Sequence, residues 1–95
     1  MIKKVIESLE NIAHTARASS DPMRTDEAIG KARAILQAAA GNSEKELGPL
    51  LGQLDKELET WQSKLQAIFS EPVGRQGIVK HTSYWVERLK KCKTH

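Results

Sequence analysis

Four stretches of the chain repeat apolar side chains every three or four residues, and the first three are each closed by proline, glycine or serine. The first lines up Ile2, Val5, Ile6, Leu9, Ile12, Ala13 and Ala16. That spacing follows 3.6 residues per turn, so these side chains share one face of a helix predicted over residues 2–18. Lys3, Lys4, Glu7, Glu10 and Arg17 fall off the stripe. Lys3 and Glu7, four apart, can pair on the surface. Ser19-Ser20-Asp21-Pro22 ends the segment, because proline disfavours helical geometry in the residue before it.

A second helix is predicted over residues 23–40, with Ala28, Ile29, Ala32, Ile35, Leu36 and Ala39 on its inner face. Two starts suit it. Either Asp21 caps with Pro22 in the first turn, or Thr25 caps with Asp26 and Glu27 favouring the helix dipole. Ala34, Ala38 and Ala40 lie off the stripe, and small side chains there permit close approach. Gly41 is a natural stop.

Ser43-Glu44-Lys45-Glu46 has the form of a capping box, but Pro49 lacks the N–H that a helix interior needs. A tight turn through residues 43–47 and a main helix over 48–69 reconcile the two. Leu47, Leu51, Leu54, Leu58, Trp61, Leu65 and Ile68 then alternate spacings of four and three. Such a seam packs at a shallow angle against near-parallel neighbours. Leu50 and Phe69 widen it.

The run Ser70-Glu71-Pro72-Val73-Gly74 breaks the chain again, and the last helix is predicted over residues 75–91, its start lying between Pro72 and Gly77. Ile78, Thr82, Trp85, Leu89 and Cys92 repeat the four–three rhythm. No segment alternates in the manner of a strand. Short connections favour antiparallel neighbours, so the expected fold is all-α, a four-helix up-down-up-down antiparallel bundle. The length of 95 residues suits one domain spanning residues 1–95.

Composition agrees with a folded, well-solvated chain: 39% of residues are apolar and 28% charged. One cysteine, Cys92, rules out an internal disulfide and a multi-thiolate metal site. Glu7 and Glu10 interrupt the N-terminal apolar run, so neither a signal peptide nor a membrane span is expected, and a cytoplasmic setting is.

Candidate chemistry is sparse. His14, His81 and His95 show no spacing that would gather metal ligands, so no metal and no cofactor are expected. His81 is read as a partly exposed helix residue near Trp85, and Cys92 as a small buried hydrophobe rather than a nucleophile. Asp55, Glu57 and Glu59 spread over about 200° of their helix and read as solvated surface. Gly74-Arg75-Gln76-Gly77 resembles an anion-binding turn only in its glycines and is better read as a flexible helix start.

Net charge is +3, and residues 70–95 hold six basic against two acidic side chains. This basic last helix supports a nucleic-acid or anion contact through Arg75, Lys80, Tyr84, Arg88 and Lys91. The charge is modest for such a binder. The favoured expectation is therefore a non-enzymatic protein-interaction or scaffolding module, with a protein partner or a second copy packing on Ala34, Ala38, Leu50 and Phe69. Nucleic-acid binding is the alternative, and no membrane contact is expected.

Overall fold

The computed structural model describes residues 2–41 and 47–93, with side chains up to Lys91. Four helices account for nearly all of it: α1 (Ile2–Ala18), α2 (Pro22–Gly41), α3 (Leu47–Phe69) and α4 (Pro72–Lys93). No strand occurs among the described residues. The capping box at Ser43–Glu46, the burial of Cys92 and the placement of His95 lie outside what is described.

Local chemistry explains where the helices begin and end. Asp21, not Thr25, starts α2. Its carboxylate oxygen accepts the Met23 N–H at 3.0 Å and its carbonyl accepts the Arg24 N–H at 3.2 Å. Pro22 sits at the first helical position, where a missing N–H costs nothing. Ser19 Oγ accepts the Asp21 N–H at 3.1 Å and holds the turn. Pro49, third in α3, likewise falls among the N-terminal residues that have no intrahelical acceptor, so α3 runs straight from Leu47.

The last helix begins at Pro72, the first residue of the window from Pro72 to Gly77 in which its start is expected. Glu71 supplies the carbonyl that accepts the Gly74 N–H at 3.1 Å. Gly74-Arg75-Gln76-Gly77, read from the sequence as a helix start, lie in the first turns of α4.

Each helix packs on its two neighbours in ring order: α1 on α2 and α4, α2 on α3, α3 on α4. Among the described residues no diagonal pair meets, which is the contact pattern of a bundle. The long dimension of 38 Å is close to the roughly 33 Å that a 22-residue helix spans. The core is the set of stripes read from the sequence: Val5, Leu9 and Ile12 of α1, Ile29 and Leu36 of α2, Leu51, Leu54 and Leu58 of α3, and Ile78, Trp85 and Leu89 of α4.

Side-chain size sets the spacing. The α1 face contributes Ala13 and Ala16, and α2 contributes Ala28, Ala32 and Ala39, so those helices close tightly. Between α3 and α4 stand Trp61 and Trp85, and these two helices make the least backbone approach of the four adjacent pairs.

Two threonines are fully buried. Thr82 donates its hydroxyl to the Ile78 carbonyl at 2.6 Å. Thr25 Oγ1 has no hydrogen-bond partner among the described residues. A buried hydroxyl without a partner costs about 1–3 kcal/mol. Thr25→Val keeps the shape and removes that cost, so it should stabilise the fold by about 1 kcal/mol in chemical denaturation. Thr82→Val, which forfeits a made bond, should bring no gain; equal effects at both positions would refute this reading.

Candidate functional site

With Ile78, Thr82, Trp85, Val86 and Leu89 turned into the core, α4 presents its opposite face outward. A turn of 100° per residue places Lys80, Tyr84, Arg88 and Lys91 within an arc of about 80°, over about 16 Å of helix. Val73 falls on the same line two turns before Lys80. Val73 is 73% exposed and Tyr84 58%, and with Met23 they are the large apolar side chains most open to solvent. Lys80 and Lys91 are exposed, Arg88 half-buried.

This face is supported from below. The Arg88 guanidinium lies over the Trp85 ring at 4.8 Å and beside the Tyr84 ring at 6.0 Å. Tyr84 meets Trp85 edge-on, 6.2 Å between centroids. Trp85 in turn donates its indole N–H to Glu57 of α3 at 2.8 Å. A cation over an indole face is attracted by the ring quadrupole, so Arg88 is held where both its charge and its stem pack. His81 lies nearer Trp61 of α3 (6.2 Å, 52° between planes) than the sequence reading supposed.

Arg75 is elsewhere. It points back to α1, donating from Nε and Nη2 to the Ala16 carbonyl at 3.1 and 2.8 Å, and from Nη2 to the Arg17 carbonyl at 3.2 Å. These are C-terminal carbonyls of α1, the groups a helix leaves unpaired and the negative end of its dipole. Arg75 thus belongs to the α1–α4 junction rather than to the line of Lys80, Tyr84, Arg88 and Lys91.

The residues proposed for apolar contact divide. Ala34 and Ala38 are exposed on α2, while Leu50 is half-buried against the core. Phe69 is 9% exposed and is a core residue, so it offers little to a partner.

The carboxylates read as solvated are structural. Arg33 of α2 donates to Asp55 at 2.9 Å, Glu59 at 3.1 Å and Gln62 at 3.0 Å, all on α3. Gln62 continues to Asp26 at 3.1 Å, and Gln37 to Asp55 at 3.5 Å. The bond to Asp55 raises the Arg33 pKa above its ordinary value, helped by the charges of Asp55 and Glu59 and opposed by burial. On the alkaline side that stabilising charge therefore persists up to the usual arginine range and is lost only above it. Asp55, Glu59 and Gln62 recur every four and three residues, which puts them on one flank of α3. That spacing is the signal the sequence reading passed over.

Among the described residues no three His, Cys, Asp or Glu side chains gather as a metal site, and no helix is long and apolar enough to cross a membrane. Comparison with protein-family models, with curated proteins and with solved structures gives no match to this chain.

Proposed function

We propose that this protein is a non-enzymatic interaction module of the cytoplasm that binds a protein partner through the outer face of α4. The observation that carries the reading is the pairing of Val73 and Tyr84, both widely exposed, with Lys80, Arg88 and Lys91 on one helix line. Aromatic and arginine side chains anchored by packing beneath them are the usual energetic centres of protein interfaces. The half-buried polar groups of α2 and α3 are occupied in holding helices together, which supports a scaffold rather than a reacting centre.

We read the bundle as up-down-up-down. Along α2, Asp26 and Arg33 meet Gln62 and then Asp55, so one number rises as the other falls. Glu57 with Trp85 and Trp61 with His81 run the same way between α3 and α4. Arg75 near the start of α4 reaches Ala16 near the end of α1. Such reversed pairs are what antiparallel neighbours produce.

A photo-crosslinking residue in place of Tyr84, expressed in the source cell, tests the interface. One discrete polypeptide adduct is expected from that position and none from the exposed Lys31 of α2 or Lys56 of α3. The same adducts from all three positions would sink the proposal. A second reading rests on Tyr84 itself, whose exposed ring between cations suits stacking by a nucleic-acid base. A nuclease-sensitive adduct at Tyr84 would select that reading instead.

A further inference from the structure

Beside the outer face of α4 runs a groove of about 400 Å3, between the last turn of α1 and the first turns of α4. Ala16, Pro72 and Val79 make its apolar walls, and Arg17, Arg75 and Lys80 stand around them. Among the described residues no carboxylate lines it. Two other surface hollows lack that bias: the one between α2 and α3 sets Asp26 against Lys64, and the one further along α1 and α4 sets Glu10 and Glu87 against Arg17 and Lys90.

Building on the protein-binding reading of α4, we propose that this groove holds an acidic, aliphatic segment of the partner protein. A leucine-sized side chain packs against Ala16, Pro72 and Val79, and an adjacent carboxylate of the same segment lies among Arg17, Arg75 and Lys80. Arg75 is the fixed point. Its Nε and Nη2 are held by the Ala16 and Arg17 carbonyls, while Nη1 makes no hydrogen bond among the described residues. A guanidinium already ordered loses little freedom on binding, and its bond to a carboxylate is charge-assisted. The α1 carbonyls offset part of the Arg75 charge, so Arg17 and Lys80, both exposed, supply the remaining attraction.

The apolar walls decide between partner classes. A phosphodiester has nothing to bury against alanine, valine and proline, and this groove offers no aromatic ring on which a base could stack. Lys80 borders the groove and also stands on the Tyr84 line, so one partner can span both surfaces.

The test is an NMR titration of the isotope-labelled full chain with capped peptides built from Leu-Glu-Glu-Leu, Ser-Glu-Glu-Ser and Leu-Lys-Lys-Leu units. Only the first should shift the Ala16, Gln76 and Val79 amides saturably. The double variant Arg17→Glu, Lys80→Glu should weaken that binding by about tenfold or more at an unchanged thermal midpoint. Equal shifts with the serine peptide, affinity indifferent to the charge reversal, or stronger shifts with oligo-dT would overturn the proposal. So would the same shifts on raising protein concentration alone, which would assign the groove to a second copy. Shifts confined to Tyr84 and Arg88 would reject the groove and leave the α4 face standing; no shift with any peptide would count against both.

Discussion

Gly74→Ala should destabilise the protein by about 3 kcal/mol, at the upper end of what overpacking costs. Gly74 lies in the first turn of α4, close against Ile68 at the end of α3. A Cβ added there would fall on the Ile68 carbonyl oxygen and sit 2.8 Å from the carbonyl carbon. Backbone cannot swing aside as a side-chain tip does, so α4 must shift as a body or α3 must unwind its last turn. Neither glycine of the segment has a positive φ, which makes the requirement at Gly74 one of space alone. Gly77, one turn on, would place its Cβ in open space. Gly77→Ala should therefore stabilise by about 1 kcal/mol, the ordinary helix preference for alanine over glycine. Thermal unfolding separates the two: roughly 15 °C down for the first and about 5 °C up for the second in a chain of this size. Midpoints moving in the same direction would show that α4 does not start where described.

Trp85→Ala should cost about 3–5 kcal/mol, a large share of the roughly 5–15 kcal/mol that stabilises a typical domain. Trp85 is almost wholly buried between α3 and α4, adjacent helices whose backbones make few close approaches, so few neighbouring atoms can close over the space it leaves. The change also strips Glu57 of its indole donor and Arg88 of the ring beneath it. Trp85→Phe keeps most of the volume but not the N–H, and should cost about 1–2 kcal/mol. Urea denaturation of both variants apportions the effect. A phenylalanine variant as unstable as the alanine variant would mean that the hydrogen bond, not the ring, spaces the helices.

The four stripes were legible because each core position is a matter of local spacing. Val5, Leu9 and Ile12, or Leu51, Leu54 and Leu58, need only the period of their own helix to be read as inward. Helix ends were less legible. Asp21 and Thr25 were equally good caps on residue type, and the contest was settled by burial: Thr25 lies in the core, where it cannot serve an exposed helix start. Pro72 gave a start signal for α4 that its neighbouring glycines obscured.

Polar residues were misjudged for a different reason. Asp55 and Glu59 gain their role only when α2 brings Arg33 alongside, and a carboxylate on a solvated flank reads the same with or without that partner. Arg75 was grouped with Lys80 and Arg88 by charge, yet it lies about 140° around the helix from Lys80 and serves α1.

By itself the sequence determined which residues are helical, which face of each helix turns from water, and that the last helix carries the positive charge. Those properties follow from periodicity and composition, which a single chain displays. Which polar side chains meet across helices, why Gly74 must lack a side chain, and how Trp61 and Trp85 fit between α3 and α4 were decided only by tertiary structure. Each depends on a distance between residues of different helices, and such a distance exists only once the helices have packed.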